Sequence, residues 1–310
     1  MHITVVGPGA LGTLWAIRLA QAGALVNILD HRPERAALLR RQGFFVEDGE
    51  GAAELALDIS PEPAQALEDC QLALVCVKAY NTEEVAAVLG RHLPESAKAL
   101  TLQNGIGNVE TLSRTLGPER VLGGITSEGA TLLAPGRVRH AGRGQTRLGP
   151  AQGQVDGFVE EIKNLFIQAG FDSQTAERVQ NLIWTKLVIN VGINALTAIL
   201  DIPNGHLLKL PGALKIMSQA VAEAVQVGRA LGIEFPQPDM LPAVKDVAQG
   251  TSQNISSMLQ DVRNHRRTEV DFISGAVARS GAEQGIPTPV NQNLTRLVWA
   301  LEQMERLDKG

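Results

Sequence analysis

Cysteine is nearly missing from this chain: Cys70 and Cys76 are the 2 among 310 residues. Two cysteines give no disulfide framework, and no zinc ligands stand beside them, so the sequence fits a reducing compartment. Blocks of lysine or arginine are missing as well, and the net charge is -5. No phosphate-tracking surface is expected from that, and hence no nucleic-acid partner. Only Arg263, Arg266 and Arg267 cluster, and Asp261 and Glu269 flank them, which reads as a wet helical face. HExxH, Walker and calcium-loop motifs, triad spacings, internal repeats and low-complexity tracts do not occur, and no metal site is expected. The strand-like HITVVG begins directly after Met1 and leaves no room for an export signal, so a cytoplasmic protein is expected.

Long apolar runs are scarce too, with one exception. Leu182–Leu200 is long enough to span a membrane, but Lys186, Asn190 and Asn194 interrupt it and Pro203 with Asn204-Gly205 closes it. A buried helix of a water-soluble protein, with no membrane partner, is the better reading. On a helix each four-residue step turns a side chain by about 40°. The lysine and the two asparagines therefore form one slanting stripe. Polar groups set among Leu, Ile and Val are costly unless they find partners, and an ordinary core helix has no use for them. The stripe is expected to line a polar ligand site.

At the other end of the chain, Ile3–Val6 reads as a central strand. Gly7, Pro8, Gly9, Ala10, Leu11 and Gly12 follow at once as a GxGxxG turn, then a helical pattern over Thr13–Ala22 and a second strand at Val26–Asp30. In this strand–turn–helix setting the glycines allow a close approach of backbone to a pyrophosphate, whose charge meets the helix N-terminus. The motif implies a nicotinamide dinucleotide. Asp30 suits the free ribose of NAD, whereas His31, Arg32 and Arg35 suit the ribose phosphate of NADP. The residues lean toward NADP through Arg32 and leave NAD as the alternative.

Two further buried strands end in Lys78 and in Asn104, beyond the carboxyl ends of strands where such sheets bind ligands. Strand patterns continue to Gly149, and the amphipathic helix Phe158–Ala169 closes the first part. The fold class expected is α/β: a Rossmann-type dinucleotide-binding domain over residues 1–170, then an all-α domain over 171–310. Within the second domain Thr251 or Ser252 can cap a long helix reaching about Ala278. That helix would carry Ser257, Asp261, His265 and Glu269 at four-residue spacing. Asp261 and His265 are expected to face solvent, and Glu269 is a candidate partner for Lys186. A dinucleotide domain followed by a helical domain with a lysine in its core suggests hydride transfer to a carbonyl, with Lys186 as proton donor.

The segments VVGPGALG, CVKAYNT, LQNGIG, WTKLVINVGINALTAI with the PNG after it, and SSMLQDVRNHRRTEVDFISG span nearly the whole length. Through them the chain resembles the ketopantoate reductases, also called 2-dehydropantoate 2-reductases. The resemblance implies NADPH-dependent reduction of 2-dehydropantoate to (R)-pantoate, on the way to pantothenate and coenzyme A. It also implies that Lys186 is the general acid with Glu269 near it. Lys78 and Asn104 would serve both nicotinamide and substrate. Asn190, Asn194 and Ser257 would bind substrate, with Asn204 a weaker match. His31 and Arg32 stand where the family's phosphate-reading arginine is found. The helical domain could supply a homodimer face. Two alternatives are carried forward: a dehydrogenase for another small 2-keto acid, and a non-catalytic dinucleotide sensor, which would need no Lys186.

Overall fold

β1 (His2–Val6) is a run of apolar residues with four buried in succession, as a strand covered on both faces requires. From it the chain continues through α1 (Ala10–Gln21), β2 (Leu25–Leu29), α2 (Pro33–Gln42), β3 (Phe44–Asp48), β4 (Gly51–Leu55), β5 (Asp58–Ser60) and α3 (Pro63–Ala66). Then come β6 (Leu72–Val75), α4 (Thr82–His92), β7 (Lys98–Thr101), α5 (Asn108–Leu116) and β8 (Val121–Thr126). β9 (Gly129–Ala134), β10 (Arg137–Gly142), β11 (Thr146–Pro150), α6 (Gly157–Gln168) and β12 (Ser173–Thr175) complete this part. The computed structural model describes residues 1–49 and 51–307.

The main sheet has the order β12-β11-β8-β7-β6-β1-β2-β5. β1 lies between β2 and β6, parallel to both, and the direction of winding reverses there. That reversal is the switch point at which doubly wound sheets bind dinucleotides. A second sheet, β4-β3-β10-β9, is built from the glycine-rich stretch after α2 and the hairpin that follows β8. One apolar core serves both sheets: Trp15 of α1 is fully buried, with its ring centroid 4.4 Å from that of Phe166 and 3.8 Å from that of Phe171. The arginines along β10 find partners on β3, Arg137 over the Phe45 ring and Arg139 on Glu47 at 2.6 Å.

The rest of the chain is helical: α7 (Val179–Leu200), α8 (Pro211–Ala230), α9 (Leu241–Gly250), α10 (Ser257–Arg263), α11 (Ser274–Glu283) and α12 (Pro289–Leu307). α7 is apolar and long enough to cross a membrane by composition, but its side chains Leu187, Val188 and Val191 belong to a buried helical core with α8 and α9. Two compact units result. The first comprises Met1–Gln103 with Asn108–Val179, and the second comprises Asn104–Gly107 with the chain from Gln180 onward.

Three features differ from the sequence expectation. β12 continues the main sheet past residue 170, pairing in parallel with β11; its three polar residues carry no apolar alternation. α9 occupies a proline-rich stretch that reads as a stiff connection, because Pro242 sits in the first helical turn where its missing N–H costs nothing. The long helix from Thr251 does not exist. Ser256, rather than Thr251 or Ser252, caps the short α10, accepting a hydrogen bond from the Leu259 N–H at 3.1 Å. The chain then turns at His265, whose φ of 53° lies outside the helical range, and Arg266 N–H folds back onto the Asp261 carbonyl at 2.9 Å.

Candidate active site

Within the first unit, the glycine turn joins β1 to α1 across the top of β6. Gly9 opens α1 with no side-chain cap, and no acid stands in the first turn. The positive end of the helix dipole is thus left for an external anion. Gly12 is required by close approach: a Cβ there would lie 2.1 Å from the Gly7 carbonyl oxygen and 3.1 Å from Cys76 Cβ. Pro8 is buried, while Ala10 and Leu11 are half-buried. After β2, Asp30 is buried, and His31 and Arg32 are exposed. The Asp30 carboxylate accepts hydrogen bonds from Arg35 Nε at 2.5 Å and Arg35 Nη2 at 2.6 Å. These features fit a phosphate-rich dinucleotide.

Lys78 leaves the end of β6 half-buried and opens a 3-10 turn over Ala79–Asn81. Its loop is tied by Gln103, a residue that sequence reasoning did not single out. Gln103 Nε2 donates to the Val77 carbonyl at 2.7 Å and to Thr82 Oγ1 at 2.9 Å, and its Oε1 accepts from Thr101 Oγ1 at 2.8 Å. The signal for it lay in plain view, since Gln103 opens the LQNGIG segment at the end of a buried strand.

Within the second unit, the loop Asn104–Gly107 packs on the turn after α10. Ile106 N–H donates to the Phe272 carbonyl at 3.1 Å. Gly105 is required there, with φ +83° and a site for Cβ only 2.3 Å from the Phe272 oxygen. This docking brings Asn104 Nδ2 to 3.4 Å from Glu269 Oε2. Glu269 is 5% exposed and opens the 3-10 turn Val270–Phe272. The turn is held from behind, because Thr268 N–H donates to Glu302 Oε1 at 2.7 Å and Val270 N–H to Thr268 Oγ1 at 3.2 Å.

Lys186 belongs to the same cluster electrostatically. Burial of its ammonium lowers its pKa to about 8, and the negative charge of Glu269 opposes that shift. The residue as a whole is half-buried. One and two turns further along α7, Asn190 is half-buried and Asn194 is 5% exposed. Asn204 is buried and bonded elsewhere, with Nδ2 donating to Thr251 Oγ1 at 2.9 Å and its N–H to the Asn254 carbonyl at 3.0 Å. Its Oδ1 is buried without a hydrogen-bond partner. Ser257 is exposed at the start of α10 and shares no helix with Glu269. Asp261, expected in solvent, is 6% exposed, whereas His265 is exposed in the turn. The four-residue row therefore breaks up, yet its two ends keep separate places in the second unit.

Among the described residues, no group of three or more His, Cys, Asp or Glu could hold a metal ion. The family model described as "Ketopantoate reductase PanE/ApbA" matches residues 3–153, and its C-terminal counterpart matches residues 178–302. A 2-dehydropantoate 2-reductase of Halobacterium salinarum is 36% identical over 298 residues, covering 96% of this chain and 98% of the relative. A PanE/ApbA family ketopantoate reductase from Ralstonia eutropha superposes with a TM-score of 0.91 at 30% identity, covering 99% of this chain and 100% of the other. A D-mandelate dehydrogenase solved with NADH and anilino(oxo)acetate also superposes with a TM-score of 0.91, at 26% identity over 98% of this chain and 99% of the other.

Proposed function

The chain belongs to the ketopantoate reductase family, and from that premise we propose that it reduces 2-dehydropantoate to (R)-pantoate with NADPH, a step toward pantothenate and coenzyme A. The observation that carries the reading is Lys186, whose pKa is lowered to about 8 by burial in an apolar helix. At neutral pH it is still predominantly an ammonium, yet it yields a proton more readily than an ordinary lysine.

When bound, the nicotinamide cofactor supplies the hydride. The Gly7–Gly12 turn and the α1 N-terminus hold its pyrophosphate, and His31 and Arg32 meet the ribose phosphate. Lys78 and Asn104 orient nicotinamide and substrate. Asn190 and Asn194 bind the hydroxyl and carboxylate of the keto acid, with Ser257 and Asn204 as further polar contacts. Lys186 Nζ donates a hydrogen bond to the C2 carbonyl oxygen, stabilises the charge that grows there as hydride reaches the carbon, and passes its proton to the alkoxide. Glu269 stabilises the ammonium between turnovers, and solvent restores the proton. A cytoplasmic location and a homodimer belong to the same reading. The free thiols Cys70 and Cys76 suit the first, and exposed Leu297, Trp299 and Met304 on α12 offer apolar surface for the second.

The likeness to D-mandelate dehydrogenase favours one competing reading, a dehydrogenase for a different small 2-keto acid. A steady-state assay of NADPH and NADH oxidation against a panel of 2-keto acids separates the two. The expected result is the highest kcat/KM with 2-dehydropantoate and NADPH, with Lys186→Ala lowering turnover by about a hundredfold or more. Good turnover of an unrelated keto acid with poor use of 2-dehydropantoate would sink the substrate assignment. Dinucleotide binding with no turnover of any keto acid would favour the sensor.

A further inference from the structure

The acid that follows β2 is where dinucleotide sheets commonly hold a free ribose by its hydroxyls. In this chain that acid is Asp30, and it is withdrawn. Its side chain is 0% exposed. Arg35, in the first turn of α2, grips it with a two-pronged fork, Nε to Oδ2 at 2.5 Å and Nη2 to Oδ1 at 2.6 Å. The Arg32 N–H takes a further lone pair of Oδ1 at 3.2 Å. Bidentate guanidinium–carboxylate pairs are among the strongest and most directional of polar contacts. A further ionisable neighbour, His31, has Nδ1 3.9 Å from Oδ1 and a side chain 63% exposed. A carboxylate so enclosed cannot reach a ribose hydroxyl, and its charge is neutralised where a ribose phosphate would approach.

We propose that Arg35 sets cofactor preference by sequestering Asp30, so that the site favours a 2′-phosphorylated dinucleotide without Arg35 itself reading the phosphate. Arg35 is on this view a positioning residue that acts through Asp30. Arg32, exposed and adjacent, is the direct phosphate contact. The proposal rests on the NADPH reading above. It adds that selectivity against NADH comes from an acid locked away rather than from an acid missing.

The test uses binding alone, with the apo protein titrated calorimetrically with adenosine 2′,5′-bisphosphate and with adenosine 5′-phosphate, then with NADPH and NADH. Wild type is expected to prefer the 2′-phosphorylated partner of each pair by about tenfold or more, which corresponds to about 1.4 kcal/mol. Arg35→Ala frees the Asp30 carboxylate. The 2′-phosphorylated ligands should then weaken by about tenfold, while the unphosphorylated ones hold or tighten. Asp30→Asn added to Arg35→Ala should restore binding of the phosphorylated ligands. Asp30→Asn alone, which keeps the packing, should leave the wild-type preference in place.

Loss of phosphorylated-ligand binding in Arg35→Ala that Asp30→Asn fails to restore would show that Arg35 reads the phosphate directly. A preference unchanged in Arg35→Ala, or equal weakening of all four ligands, would also overturn the role. Should Arg35→Ala fail to fold, Asp30→Asn alone decides: selective loss of NADH and adenosine 5′-phosphate would mean that Asp30 serves the ribose after all. Wild type with no preference for 2′-phosphate would overturn the NADPH reading together with this one, whereas the outcomes above leave that reading standing.

Discussion

Lys186 shows how one side chain acquires a chemical role from its surroundings. Its place in an apolar run was visible in the sequence, as was its stripe with Asn190 and Asn194. Its acidity was not, because it depends on two opposed effects, burial and the charge of Glu269. Glu269 arrives through a 3-10 turn far along the chain, and no spacing rule connects the two. The pH dependence follows in sign. Reduction needs the ammonium, so kcat/KM should be level below pH ~7 and fall as the pH rises through the Lys186 pKa of about 8. Glu269→Gln removes the charge that raises this pKa, so the falling limb should move to lower pH. A kcat/KM profile across the neutral and alkaline range reads both limbs. A limb that stays put or moves upward in Glu269→Gln would mean that Glu269 does not act on Lys186 through its charge.

At the scale of elements, α7 and α10 are joined by hydroxyls rather than by apolar contact alone. Thr197 Oγ1, one turn beyond Asn194, donates to Ser256 Oγ at 2.7 Å, and Ser256 Oγ in turn accepts from the Leu259 N–H. One side chain thus caps a helix and anchors it to the asparagine-bearing wall. Ser256→Ala should cost about 1 kcal/mol, within the range of lost caps, since the Thr197 hydroxyl keeps the Ile193 and Asn194 carbonyls as acceptors. Ser257→Ala, at an exposed position, should stay within about 0.5 kcal/mol. Urea titrations compare the midpoints at constant slope. The reverse ranking would mean that Ser257 is the cap. The sequence marks hydroxyls throughout this stretch, but choosing among Thr251, Ser252 and Ser256 requires knowing where the preceding backbone turns, and local propensity does not carry that information.

For the molecule as a whole, the first unit has the Rossmann-like fold of a dinucleotide-binding half, and its binding has a thermodynamic signature that can be measured. A dinucleotide that binds only the folded chain stabilises it by about 2.7 kcal/mol at a hundredfold excess over Kd. NADPH should therefore raise the melting temperature in a dose-dependent way, and Gly12→Ala should abolish the shift because its methyl meets the Gly7 carbonyl. An unchanged melting temperature for wild type at millimolar NADPH would count against the dinucleotide site. The first two strands, the glycine turn and the apolar helix with its polar stripe were determined by the sequence alone, since each rests on periodicity or spacing within a few residues. Tertiary structure alone decided that Asp30 is held by Arg35, that Asn104–Gly107 packs with the helical unit, and that the helix expected after Thr251 is broken at His265. Each of these depends on which groups meet across the fold and satisfy one another once water is excluded, and a linear pattern does not encode such meetings.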